Sequence, residues 1–184
     1  MNKSINCLIK AILIFTVFSF ESFAQTHSVK SAVSIHSKDG ILGSDIAAIR
    51  TAYTSINTFS LKPQPFKFES PGCVEDGQIT YFRSSDDILK VRYSGGIGDG
   101  SWTTEFYFNA GKLIFCYDKQ IGGPAEGKAI TTEYRLYVKA DQPIRCMENK
   151  KIVQPDSKAT ETINAAYKLL KAYKTKNFKA ALCD

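Results

Sequence analysis

Histidine is nearly missing from this sequence: among 184 residues only His27 and His36 occur. Both fall in THSVKSAVSIHSKDG, a stretch with no sustained hydrophobic period, and a general base there has little to hold it within hydrogen-bond reach of a target. Histidine-based triads and histidine-ligated zinc sites are therefore not expected. No C-x-x-C pair is present, which removes thioredoxin-like redox sites and zinc ribbons. Asp86, Asp87 and Asp99 lack the spacing of a calcium loop and read as turn residues. Apolar runs are short throughout, and the longest, AILIFTVFSF, is about ten residues, half of what a membrane-spanning helix needs.

That run follows the basic opening MNKSINCLIK and precedes Ser22-Phe23-Ala24, the order of a secretory signal peptide with its small-residue cleavage site. The expectation is cleavage of residues 1–24 and a mature chain from Gln25 that is exported, to the periplasm or beyond, with no transmembrane segment left. Cys7 leaves with the signal. Cys73, Cys116, Cys146 and Cys183 remain, and an even number in an oxidising compartment reads as two disulfides. The formal net charge of +6 is a modest excess that favours solubility without specifying a partner.

Two glycine-rich stretches invite a cofactor reading. GGPAEGKA (122–129) fits seven positions of G-x-x-x-x-G-K-[ST], but Ala129 stands where the magnesium ligand belongs, and β-branched, aromatic ITTEYRLYV follows in place of a helix. GGIGDG (95–100) ends its G-x-G-x-x-G with Ser101 and lies between strands. Neither is expected to bind a nucleotide, and no other cofactor or metal is called for.

A loose N-terminal arm is expected over 25–43, followed by one α+β domain over 44–180. Ile46, Ile49, Tyr53 and Ile56 recur at helical spacing behind Ser44 or Asp45 as cap. Pro63 and Pro65 read as breakers before the alternating strand FKFES. From Gly77 to Met147 three hairpins repeat: QITYFRSSDDILKVRY, TTEFYFNAGKLIFCYD and TTEYRLYVKADQPIRCME. Tyr107, Phe108, Ala110, Ile114 and Cys116 match Tyr137, Val138, Ala140, Ile144 and Cys146 at a constant offset of thirty. The TTE triplets sit two residues closer, which reads as an insertion near Arg135-Leu136. Repetition of this kind points to stacked copies of one hairpin, and Asn109-Ala110-Gly111 carries the glycine of a bulged turn. A second helix is expected from Asp156 to Tyr173, burying Ile163, Ala166, Tyr167, Leu170 and Tyr173. Lys168, Lys171, Lys174, Lys176 and Lys179 lie off that stripe. Without interleaved aromatics they read as a solvated face, which argues against a nucleic-acid partner.

The fold expected is thus a curved antiparallel meander of about six strands, one face packed on an N-terminal and a C-terminal helix. In such a meander Cys116 and Cys146 are two strands apart, about 10 Å, beyond bridging range. Cys73 and Cys183 would then each take one of them. A barrel-like closure would select Cys73 with Cys146 and Cys116 with Cys183.

The hairpin E-x-Y-F-x-x-G-K-L, read here as Glu105 to Leu113, with a second E-x-R-x-Y strand from Glu133 to Tyr137, resembles a group of uncharacterised exported bacterial proteins. The resemblance spans Gln78 to Glu148 and implies export and β-rich structure. It carries no functional residue across. Asp141-Gln142-Pro143 departs from its G-K-L turn.

Functionally, the sequence points to a non-catalytic binding module for a protein or envelope component, with inhibition of a hydrolase as one form. Its contact surface is expected at GGIGDGSW and GGPAEGK, at Ile97, Asp99, Trp102 and Lys128, because both loops leave the same end of the meander. The alternative is a small-molecule carrier, its ligand held between sheet and helix in a cavity lined by Phe106, Phe108, Phe115 and Tyr134. A third reading, a hydrolase using Glu105 and Glu133 as paired carboxylates, competes with cross-strand ion pairing of each glutamate.

Overall fold

The structure is a computed structural model that describes residues 26–124 and 127–183, the first fourteen of these by backbone alone. The signal-peptide reading of residues 1–24 lies outside the described residues. The described residues from Asp39 onward form one compact unit. In chain order the elements are α1 (Thr26–Thr58), β1 (Lys62–Ser70), β2 (Val74–Ser84), β3 (Asp87–Ile97), β4 (Gly100–Asn109) and β5 (Lys112–Gly122). Then come β6 (Ile130–Lys139), β7 (Gln142–Glu148), β8 (Lys151–Val153), α2 (Ser157–Thr175) and α3 (Phe178–Leu182).

The segment expected as a loose arm is therefore helical from Thr26. It has no proline, and backbone hydrogen bonding does not require an amphipathic period. Ser44 and Asp45 are mid-helix and cap nothing: Ser44 Oγ donates to the Ile41 carbonyl at 2.8 Å, and Asp45 pairs with Lys139 at 2.6 Å.

The eight strands form one antiparallel meander in the order β1 to β8. Strands β2 to β7 are the six expected ones, and β1 and β8 extend the sheet at its edges. Pro63 and Pro65 lie inside β1, where the register runs unbroken from Lys62 to Phe68. Proline is compatible with an edge strand because its missing N–H faces no neighbour, and it helps keep that edge from recruiting another chain.

The three expected hairpins share one device. Each has a two-residue turn, at 85–86, 110–111 and 140–141, and each carries an extra residue in its second strand: Leu89, Ile114 and Ile144. Ala110 and Gly111 have φ of 48° and 72°, and Ala140 and Asp141 have 50° and 60°. Both turns thus have the left-handed pair that matches strand twist, with Asp141 in the glycine's place. The bulge puts two successive residues on one side of the sheet. Leu113 is buried on the α2 side, Ile114 and Phe115 join the α1 side, and Cys116 returns to the α2 side.

This makes a sheet with two apolar faces, and the helices lie on opposite faces, not together on one as expected. Ile46, Ile49 and Ile56 of α1 pack with Tyr107, Phe115 and Tyr137. Ala159, Ile163, Ala166, Leu169 and Ala172 of α2 pack with Tyr81, Phe108, Leu136 and their neighbours, joined by Phe178 and Ala181 of α3. Leu169 is fully buried and Leu170 only partly, a one-residue rotation from the expected stripe. Tyr81 donates from its hydroxyl to the Leu169 carbonyl at 2.7 Å, so this large side chain is buried without an orphaned polar group.

Among the described residues one disulfide is present, Cys73–Cys183, with Cα atoms 5.9 Å apart. It fixes the end of α3 beside the β1–β2 turn. Neither expected pairing occurs. The sheet is open, so no closure brings β7 to β1, and Cys116 and Cys146 remain as buried thiols. Leu136 stands between them in the register, which bears out the exclusion of a direct bridge. Cys116 corresponds to Val91 in the first hairpin at an offset of twenty-five, so these cysteines fill valine-like core positions.

Two outcomes are expected. Alkylation of the folded, oxidised domain leaves Cys73, Cys116, Cys146 and Cys183 unlabelled, and denaturation without reductant exposes Cys116 and Cys146. A Cys73→Ser, Cys183→Ser variant loses about 2–4 kcal/mol in a denaturant melt, because the bridge closes a loop of 110 residues.

Candidate functional site

The turns after β1, β3, β5 and β7 leave the same end of the sheet, so the two glycine loops emerge together, as the sequence implied. Strand β5 ends at Gly122 and β6 starts at Ile130, directly after Lys128-Ala129, so the glycine-lysine pair leads into a strand and not into a helix. Beside it lies a groove of about 490 Å³, whose lining includes Ile97, Trp102, Gln120, Ile121, Ile130 and Thr132.

The apolar residues here sit at strand ends beside the glycine loops. Ile97 is 41%, Ile121 37% and Ile130 62% accessible, three of seven large hydrophobic residues so exposed among the described residues. Trp102 is half-buried, edge-on to Tyr93 with ring centroids 5.7 Å apart. Its seat depends on Gly95, where a Cβ would lie 2.8 Å from the indole Cζ2 and 2.8 Å from Val74 Cγ2. The β3–β4 turn is tied to β2 by the Gly98 amide, which donates to Glu75 Oε2 at 2.9 Å, so the groove has a braced wall.

Of the expected contact residues, Ile97 and Trp102 line this groove. Asp99 and Lys128 are exposed in the adjoining loops, outside its lining. Ile121 and Ile130 were missed. Their signal was an isoleucine on each side of the β5–β6 glycine loop, at strand ends where solvation favours polar residues.

The expected carrier cavity is not assembled. Phe106, Phe108 and Tyr134 are core residues on the α2 face, whereas Phe115 faces α1. Nor do the glutamates occupy equivalent places. Tyr107 matches Tyr137, so the counterpart of Glu105 is Arg135, and β6 runs regularly through Arg135-Leu136 with no insertion. Glu105 accepts from Lys90 Nζ at 2.7 Å and Tyr107 Oη at 2.6 Å, while Lys90 also donates to Asn57 Oδ1 at 3.1 Å. Burial and then Glu105 push the Tyr107 hydroxyl well above its usual range. Glu133 accepts from Tyr117 Oη at 2.7 Å and Arg135 at 2.6 Å. These partners hold its carboxyl below the usual range, Tyr117 first, while burial and Glu133 push Tyr117 up to about 12. Each glutamate thus has its own cation and phenol.

Comparison with protein-family models, with curated proteins and with solved structures finds no match to this chain. The class of the protein therefore rests on its own architecture: an α+β domain with an open, eight-stranded meander between helices.

Two measurements test this geometry. Trp102 is the sole tryptophan, so Gly95→Ala should shift its emission and cost about 1–3 kcal/mol through overpacking. Glu133 and Asp141 are both lowered in the fold, Asp141 mainly by Lys112 and then Tyr167. Their contribution is fully present above ordinary values of 4.5 and 3.8 and is lost as pH falls through the lowered values. Acid melting of a Glu133→Gln, Asp141→Asn variant should accordingly be shallower below pH 4.5 than that of the parent, and parallel curves would contradict the assignment.

Proposed function

We propose that the protein is an exported, non-catalytic binding module that engages a protein or envelope component through the groove at the glycine-loop end of its sheet. The observation that carries this reading is the gathering of Ile97, Ile121 and Ile130 around Trp102 at that end. Exposed apolar residues that cluster around a tryptophan, on strands fixed by a sheet, have the make-up of a protein contact surface. Export is supported by the signal-like opening of the sequence and by the Cys73–Cys183 bridge, the remaining thiols of the domain being buried. A groove of this kind suits an inserted apolar side chain of the partner, and blocking a hydrolase is one outcome such insertion could have.

The test is cross-linking and capture of partners from the envelope and secreted fractions of the native host, with Trp102→Ala and Ile130→Asp compared against the parent. A reproducible partner should be lost with either variant, by about thirtyfold in affinity if these residues are the centre of the contact. Retention of the partner by both variants would refute the assignment.

A further inference from the structure

The groove at the glycine-loop end has a floor of bare backbone. The register aligns Ile97 with Gly100 and Gly122 with Ile130, and the pairing of Ser101 with Ile121, continued by one residue, sets Gly100 opposite Gly122. Trp102 packs toward the α2 side, and Gln120 bonds Asp118, which faces Lys158 of α2. Alternation along β4 and β5 therefore turns Gly100 and Gly122 to that same side. The result is a trough. Two glycines from neighbouring strands lie between Ile97 and Ile130, which are three strand spacings or about 14 Å apart, and Trp102, Gln120 and Thr132 form the row behind.

Nothing among the described residues requires glycine at those two places. The other strand glycines have internal reasons: a Cβ on Gly77 would lie 2.5 Å from the Phe68 carbonyl oxygen, on Gly95 2.8 Å from the indole, and on Gly96 3.1 Å from the Gly100 carbonyl oxygen. At Gly122 a Cβ would meet nothing within 4 Å, and at Gly100 its nearest neighbour, the Ile97 carbonyl oxygen, is at an ordinary 3.4 Å. Neither has a positive φ. Glycine weakens a strand, and where the fold has no use for it, it marks a place where another molecule approaches the backbone closely. Both such positions fall side by side between the exposed Ile97 and Ile130.

The ten residues that line the groove carry no charge. Charge stands at its two sides instead: Asp99, two residues from Ile97, and Lys128, two residues from Ile130, are both exposed. A flat ring lies fully on paired backbone, with Trp102 at its edge and an isoleucine on either side, whereas a branched aliphatic chain touches such a floor with fewer atoms. Resting on the binding reading above, we propose that the groove seats an uncharged aromatic side chain of a partner protein, carried on an extended segment with a basic residue toward Asp99 and an acidic residue toward Lys128. Extended chain advances about 14 Å in four residues, the width of the trough, so the two charges fall two residues before and two after the ring.

The experiment titrates the oxidised protein with the blocked pentapeptide KSFSE, read by Trp102 emission and by NMR, in parallel with KSLSE and QSFSQ. KSFSE should bind saturably at millimolar concentration and shift the Trp102, Ile97 and Ile130 signals. KSLSE, and KSFSE on a Gly122→Val variant, should each bind about tenfold more weakly or worse, and QSFSQ about threefold more weakly at low salt. A valine there meets no neighbour and suits a strand, so that variant should melt with the parent. The proposal is overturned if KSFSE fails to bind, if KSLSE or QSFSQ binds as well, if Gly122→Val binds as well, or if Gly122→Val melts well below the parent, which would make the glycine structural. Capture from the native host separates the aromatic seat from the reading beneath it. A partner lost with Trp102→Ala but kept by Gly122→Val upholds the groove and overturns the seat, whereas peptide binding as expected, beside a partner kept by both Trp102→Ala and Ile130→Asp, refutes the reading and upholds the seat.

Discussion

The extra residue in the second strand of each central hairpin is the constraint on which the rest of this structure depends. Regular alternation would give each strand one set of side chains per face. The bulges at Leu89, Ile114 and Ile144 instead give the α1 side two consecutive residues from each of three strands, without taking Val91, Cys116 or Cys146 away from the α2 side. A sheet apolar on both faces has to be covered on both, at about 25 cal/mol for each Å² removed from water. Separation of α1 from α2 and α3 follows.

The same repetition explains the ends of the sheet. At one end the bulged hairpins close in two-residue turns, and Asp141 is held there by Lys112 at 2.7 Å and by the Tyr167 hydroxyl. Those contacts help offset the cost of a non-glycine residue at positive φ. At the other end the strands lead into the glycine loops, where apolar residues stay exposed around Trp102. Rigid closure at one end and an uncovered groove at the other is an arrangement suited to presenting a surface.

Much of this was legible in the sequence because it is local. The offset of thirty between Tyr107 and Tyr137 located two hairpins, and the glycine in Asn109-Ala110-Gly111 marked a bulged turn. The meander order then placed both glycine loops at one end. What failed to show is non-local. Which face a helix covers depends on a single inserted residue per hairpin, which the alternation pattern hides. The TTE triplets misled because identical letters need not share register, and Glu105 is matched in space by Arg135. Pro63 and Pro65 read as breakers because edge position is not written in the local sequence. The disulfide was misassigned because counting cysteines ignored that two of them stand in for Val91. The groove was half found, through Ile97 and Trp102. Ile121 and Ile130 were hidden because an isoleucine in a strand pattern is ordinarily core.

The most direct test of the two-faced sheet is a map of nuclear Overhauser contacts between isoleucine methyl groups and aromatic rings in the oxidised domain. The account predicts contacts from Ile49 and Ile56 to the Tyr107, Phe115 and Tyr137 ring set, and contacts from Ile163 confined to the set containing Phe106, Phe108 and Tyr134. Contacts from Ile49 and Ile163 to one shared set of rings would place both helices on the same face and contradict it.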